Sequence, residues 1–489
     1  MADQERGGYE RLGAAKLSLA DCIAQSVGFI GPVFSSAFVI PLIVGVISAT
    51  GKGAGGAAPL AVLIAAIGIF ALGWIVASYA RRVHAAGSLY DYVSRSLGER
   101  LGTASGWLYY SGTIALTAGL IVLMGGYLHD TLDAEFHHPL MSGWLWSVII
   151  TAGIFLVLFL GVQISTRVQL TLALISMAVV FAFFVYVIAK LGSDNDVAKA
   201  FNPSSSPTGW SGVLFGVLYG VLIFVGFETA ANLAEETANP KRQIPRAVLI
   251  SIGIVSVFYL VAAYVEVAGF GFDLTTILSA AAAPLFALAS PSSAGGFGST
   301  SLVRLMELVV LLDMIAVAIG ASVSSTRGIF AMARDRRLPR ALASVSKRFG
   351  TPLGAIVTLT AVDLLFIIAN ERWTSLFALP PPSPHYFAIF SWASTYGAFA
   401  LVVVYALMSL GSLRGIEGRL NAGVVIAAIL GLALSGGAIY GAIYKVPSPT
   451  KWAPYYAIAI FVVGVIVSFL VKGRQPASVA LPELRTHQE

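Results

Sequence analysis

The residues able to do chemistry in this chain are few, and most stand where an apolar run should hold none. Glu228 follows Phe224-Val225-Gly226-Phe227, a carboxylate two residues after a glycine that lies between aromatic residues. An ionisable group inside such a run is costly and marks an ion or substrate path. The bland alternative is a carboxylate near a helix end that pairs with Lys241 or Arg242. Asp313, Glu307, Glu266 and Asp363 interrupt other runs, and Asp313 lies nearest mid-run. A second pattern is Ser26-Val27-Gly28-Phe29-Ile30-Gly31-Pro32, with Pro41 beyond it. Pro32 has no amide to donate and clashes with the carbonyl four residues back, so a helix through this stretch opens near Gly28 or at least kinks. Opened backbone exposes amide donors on one half-helix and carbonyl acceptors on the other, a set that matches a zwitterion.

Other chemistry finds little support. His129, His137 and His138 are close in sequence but lack a carboxylate or Cys at metal spacing, and His84 and His385 stand alone near helix ends. The single Cys22 excludes an internal disulfide and reads as a small buried apolar side chain. No Walker-type phosphate loop occurs, no Ser, His and Asp constellation suggests catalysis, and no cofactor or metal is expected.

The elements that hold these residues follow from composition. Of 489 residues 57% are apolar and only 11% charged, against about 25% in soluble proteins. One aqueous core cannot hide that much apolar surface, so a soluble enzyme is excluded, as is disorder. The net charge of +6 does not signal nucleic acid, because the basic residues punctuate apolar runs rather than cluster. About twelve runs are long enough to cross a bilayer as helices, at 18–46, 58–80, 102–128, 143–162, 167–191, 211–232, 246–270, 301–326, 353–370, 385–410, 421–445 and 454–472. The first follows seventeen mostly polar residues and is not a secretory signal. With the N-terminus inside, 23 of the 30 Lys and Arg fall in cytoplasmic segments, leaving only Lys52, Lys190, Lys199, Arg304, Arg372, Lys445 and Lys451 outside. That bias places both termini in the cytoplasm of a multi-pass protein of the cell membrane.

Gly28 and Gly226 lie 198 residues apart, and each opens a block of five spans. Paired interruptions at the start of two halves that enter the membrane from opposite sides are the sign of an inverted repeat with its site at midplane. The expected organisation is an N-terminal tail 1–17, a first repeat 18–191, a second repeat 211–410, spans 11 and 12 over 421–472, and a C-terminal tail 473–489.

The residues after the sixth span, Glu235-Glu236-Thr237-Ala238-Asn239-Pro240-Lys241-Arg242-Gln243-Ile244-Pro245-Arg246-Ala247, resemble a segment of the amino acid-polyamine-organocation transporter superfamily. Ala86-Gly87-Ser88-Leu89-Tyr90, Ser96-Leu97-Gly98, the broken first span and Ser325-Thr326-Arg327 through Arg337-Leu338-Pro339 agree with it. The resemblance covers spans 1 to 10. It implies an all-α membrane protein with the inverted-repeat fold of the bacterial leucine transporter, spans 1 and 6 broken, and alternating access. Read physically, Asn239-Pro240 and Ile244-Pro245 are stop and turn signals, and Lys241, Arg242 and Arg246 anchor the inner boundary of span 7.

On this reading a substrate carboxylate meets amides around Ser26, Val27, Gly28 and Gly31, and its ammonium meets carbonyls around Phe224, Gly226 and Phe227. The resemblance makes Phe224 or Phe227 an occluding aromatic, and Tyr109 or Tyr110 adds a hydroxyl. Two departures stand out. Many members read Gly-Ser-x-Ile-Gly-x-Gly-Ile-Phe where this chain has Phe29 and Pro32, and several proton-coupled members carry a Lys in span 5 where Ser176 stands. Ser176 with Ser322, Ser324 or Ser325 would offer oxygens to Na⁺, or would simply let helices pack closely. Glu228 and Asp313 would carry a proton, and the cost of keeping carboxylates in a membrane favours that route.

The function expected is secondary uptake of amino acids, coupled to H⁺ or Na⁺. The alternatives are a polyamine or organic-amine carrier, an exchanger, and a non-transporting membrane sensor, for which no output domain is visible.

Overall fold

The computed structural model describes residues 12, 16–45, 53–279, 284–373, 385–416, 421–444, 448 and 450–471. The expected tail 473–489, most of the tail 1–17, Lys52, Lys445 and residues 374–384 of one outer segment lie outside these. Among the described residues the chain is helical, with two isolated β-bridges and no strand.

The first span is in pieces: α1 (Leu19–Ile30), α2 (Pro32–Phe38) and α3 (Ile40–Val44). Then come α4 (Ala58–Ala80), α5 (Leu89–Leu97), α6 (Glu99–Phe136), α7 (Gly143–Leu160), α8 (Val162–Leu191) and the short α9 (Val197–Ala200). The second half begins with α10 (Trp210–Leu222) and α11 (Pro240–Ala268), followed by the short α12 (Leu274–Ser279) and α13 (Pro284–Ala289). It continues through α14 (Thr300–Arg334), α15 (Leu353–Arg372) and α16 (His385–Ser412), and α17 (Ala422–Ile443) and α18 (Ala453–Leu470) follow.

Among the described residues nine helices are long and apolar enough to cross a membrane: α4, α6, α7, α8, α11, α15, α16, α17 and α18. The two broken spans and α14 complete the twelve. Over residues 316–334 α14 needs no apolar exterior, because protein surrounds it there. It packs against α1, α2, α6, α8 and α15, and Ser322, Ser324, Ser325, Thr326 and Arg327 on it are buried. At the periphery α17 and α18 expose Ile426, Ile429, Phe469 and Leu470, the lipid-facing surface that their composition requires.

Several boundaries differ from expectation: span 3, expected over 102–128, runs over Glu99–Phe136 and takes in His129, which was expected in an outer loop, and span 5 begins at Val162. The segment from Arg327 was placed after span 8, yet α14 runs on to Arg334. Its arginines tolerate burial because Arg327 meets Glu236 at 2.9 Å and Arg334 meets Glu235 at 2.8 Å. Asn239-Pro240 starts α11, with Pro at the first helical position, and Pro245 lies inside the helix instead of before it. The carbonyl that Pro245 leaves unpaired belongs to Lys241, which is exposed to water.

The first span opens at Gly31. Its φ of +62° ends α1 and starts α2, and a Cβ there would lie 2.1 Å from Val317 Cγ2. Gly28 is still helical, but its carbonyl is the one that Pro32 cannot reach. In the sixth span α10 ends at Leu222, residues 223–228 form turns, and a 3₁₀ segment follows over Thr229–Leu233.

Candidate functional site

The two breaks are stitched to each other. Ser26 Oγ donates to the Phe227 carbonyl at 2.9 Å and accepts from the Ala230 amide at 3.2 Å. Thr229 Oγ1 lies 2.7 Å from the Gly226 carbonyl and 3.3 Å from that of Gln25. Gly226, with φ +111°, sits against Phe29, whose Cγ would be 2.8 Å from an added Cβ. Gly226→Ala therefore costs about 1–3 kcal/mol of backbone strain besides the clash. Its thermal unfolding midpoint is expected to fall below wild type, with partial recovery in the Phe29→Ala double variant; an unchanged midpoint contradicts the packing.

A carboxylate occupies the start of α2. Asp313 Oδ2 accepts from the amides of Val33 at 2.9 Å and Phe34 at 2.8 Å. Asp313 is 0% exposed, and Oδ1 has no partner among the described residues. The amides from Ser26 to Ile30, where a substrate carboxylate was expected, lie inside α1. The first amides free of the helix are those of Val33 and Phe34, and Asp313 holds both. Diverting them leaves the Phe29 carbonyl, like that of Gly28, without its i+4 donor. The break is thus rich in acceptors.

Glu228 is the other buried acid. Tyr109 donates to Glu228 Oε1 at 2.6 Å, so its partner is not Lys241 or Arg242, and Oε2 is unpartnered. Tyr405 lies beside the carboxylate with its hydroxyl outside hydrogen-bonding geometry, and its ring packs on Phe227 at 5.4 Å. Phe224 makes an edge contact with Tyr259 at 5.3 Å, and Tyr259 donates to the Ile223 carbonyl at 2.7 Å. Val27, Phe224, Phe227 and Tyr109 are all buried, so the region is closed to solvent.

The serines share no common partner. Ser322 donates to the Ala318 carbonyl at 2.6 Å and Ser325 to Thr113 Oγ1 at 2.8 Å. Ser324 donates to Asn232 Oδ1 at 3.0 Å, and Ser176 is buried with no partner among the described residues.

Several residues that the sequence reading passed over join this structure. Gln25 donates to the Gly320 carbonyl at 2.9 Å. Gln169, with its amide turned to suit its neighbours, donates to the Ala24 carbonyl and accepts from the Gly320 amide, both at 3.3 Å. Asn232 donates to the Ala86 carbonyl at 3.1 Å and the Tyr110 hydroxyl at 3.2 Å. Gln25 and Gln169 were visible as amides in apolar spans; Thr229 and Asn232 look ordinary beside Glu228.

The end of the bundle at Glu235 and Glu236 is tied together by the motif residues. Glu235 holds Arg334 and the Ala86 amide, Glu236 holds Arg327, and the Glu236 carbonyl accepts from the amides of Lys16 and Leu17. Tyr90 donates to Asp335 at 3.1 Å.

A profile for the family described as amino acid permease matches residues 30–476. A lysine-specific permease of Lactococcus lactis subsp. cremoris is 27% identical over 308 residues, covering 60% of this chain and 58% of that protein. An uncharacterized transporter of Mycobacterium tuberculosis is 30% identical over 314 residues, 63% of this chain and 65% of that protein. A branched-chain amino acid permease of Bacillus subtilis is 23% identical over 370 residues, 68% of this chain and 75% of that protein. With the first two relatives the match thus spans less than two thirds of their length. The crystal structure of an Eremococcus coleocola manganese transporter mutant superposes with a TM-score of 0.55, covering 94% of this chain and 97% of that one. At 13% identity it shares the fold alone.

Proposed function

The chain belongs to the amino acid permease family, a family of transporters, and on that premise we propose that it takes up amino acids across the cytoplasmic membrane by proton-coupled alternating access. Both termini lie inside on this reading, and residues 18–191 and 211–410 form the two inverted repeats. The observation that carries it is the Asp313 carboxylate on the amides of Val33 and Phe34. Asp313 stands where the carboxylate of a substrate would bind.

An incoming amino acid competes with Asp313 for these donors. Its ammonium meets the carbonyls of Gly28 and Phe29, which lack their i+4 donors. As the substrate carboxylate takes the two amides, Asp313 loses the hydrogen bonds that favour its anion and binds a proton. Substrate and proton then cross together. Phe224 or Phe227 closes over the ligand, and Glu228, held by Tyr109, links the sixth span to α6.

A thermal-shift screen of the purified protein against amino acids, diamines and carboxylic acids tests the reading. At least one amino acid is expected to raise the unfolding midpoint, because a ligand of the folded state stabilises it. Stabilisation by diamines alone would assign an amine carrier instead.

A further inference from the structure

A second cavity of about 160 Å³ lies between the ends of α6 and α15 and the starts of α7 and α16, with His129, Trp144, Asn370, Glu371, His385 and Tyr386 in its wall. Tyr109 and His129 share α6 and are 20 residues, about 30 Å, apart along it. The cavity is therefore far from Tyr109 and Glu228, while Tyr127, two residues before His129, packs on Phe38 of α2 at 6.2 Å. On the charge-derived orientation it faces outward.

Apart from the indole N–H of Trp144, the polar groups of its wall offer acceptors. Asn370 is 7% exposed; its Nδ2 donates to Glu371 Oε1 at 3.0 Å, and its Oδ1 is buried without a partner among the described residues. His129 Nδ1 lies 2.7 Å from the Met141 carbonyl. A carbonyl only accepts, so Nδ1 carries the proton and Nε2 of the neutral ring is a lone pair. Tyr386 spends its proton on Asp130, leaving the ring and an oxygen acceptor. His385 Nε2 is buried and unpartnered, the one group able to serve either way. Neither Lys nor Arg is among the described residues of the wall.

An orphaned amide oxygen, a carboxylate, an imidazole lone pair and the aromatic rings of Trp144 and Tyr386 form an environment for a cationic donor. We propose that this cavity is a second binding site, with residues distinct from those at the two breaks, for a primary ammonium group. Asn370 Oδ1 and Glu371 accept its protons, and Val122 and Ile367 take a short alkyl tail.

Trp144 makes the proposal measurable. The purified full-length protein is titrated with propylammonium chloride at pH 8, where histidine is ordinarily neutral, with sodium propionate as the anionic counterpart. The signal is the fluorescence difference between wild type and Trp144→Phe. Propylammonium is expected to produce a saturable change that propionate does not, with affinity falling at least tenfold in Asn370→Leu and Glu371→Gln. Asn370→Asp, which keeps the acceptor, should retain binding, so that loss in the leucine variant is not mistaken for misfolding. Asp313→Asn, which removes the carboxylate of the broken-span site, should leave the response intact, so the two sites fail separately. A response to propionate instead, no saturable response, or undiminished affinity in Asn370→Leu overturns the assignment.

Discussion

Asp313→Asn is expected to reduce uptake driven by a pH gradient to the level of protein-free liposomes while preserving exchange of labelled for unlabelled substrate. The asparagine oxygen can still accept from the Val33 and Phe34 amides at the distances that Asp313 spans, 2.9 and 2.8 Å, so the cap on α2 survives. What is lost is the ability to hold a proton. If Asp313 were only a structural cap, gradient-driven uptake would persist in the variant. If Glu228 carried the proton instead, Glu228→Gln would show the uncoupled phenotype and Asp313→Asn would not. Loss of both uptake and exchange together with a lower unfolding midpoint would show that asparagine does not preserve the cap on α2.

The second large effect falls on the ion pair of Arg327 with Glu236. Arg327 is 1% exposed and donates to both oxygens of Glu236, at 2.9 and 3.3 Å. Removing one partner of a buried ion pair strands the other, at a cost of about 3–5 kcal/mol, whereas removing both relieves most of the penalty. Arg327→Met should therefore lower the thermal midpoint sharply, and Arg327→Met with Glu236→Gln should recover part of the loss. The amides of Lys16 and Leu17 rest on the backbone of the same Glu236, so the single variant should also release the segment before α1 to proteolysis. A single variant as stable as wild type would mean that water reaches the pair.

Much of the architecture was legible because the membrane imposes strict rules. A lipid-exposed helix must be apolar for about 20 residues, and broken backbone must face protein, so the spans and the two interruptions announce themselves. Where those rules relax, the sequence said less. Over residues 316–334 α14 is sheathed by other helices, so nothing in its composition demanded an end at residue 326, and its buried arginines became intelligible only beside Glu235 and Glu236. Pro245 reads as a turn, yet lies within α11, where one missing amide costs little near exposed Lys241.

The candidate site was legible as a set of residues and not as a set of bonds. Glu228 stands out in its span, but its tie to Tyr109 joins residues 119 positions apart. Asp313 stood out as the mid-span acid, but its place on α2 is a contact across 280 positions to Val33. No periodicity encodes such a pairing. The serines illustrate the converse: Ser322 and Ser325 share a helix with Asp313, and only the structure reveals that their hydroxyls serve Ala318 and Thr113.

The central claim, proton-coupled uptake of amino acids, is tested most directly in proteoliposomes holding the wild-type protein in Na⁺-free buffer. A pH gradient, acidic outside, is imposed, and the labelled amino acid that most raises the unfolding midpoint is followed. The account predicts transient accumulation above the external concentration, abolished by a protonophore and absent in Asp313→Asn. Failure of the wild type to accumulate substrate under the pH gradient, with accumulation restored by an inward Na⁺ gradient, would contradict it.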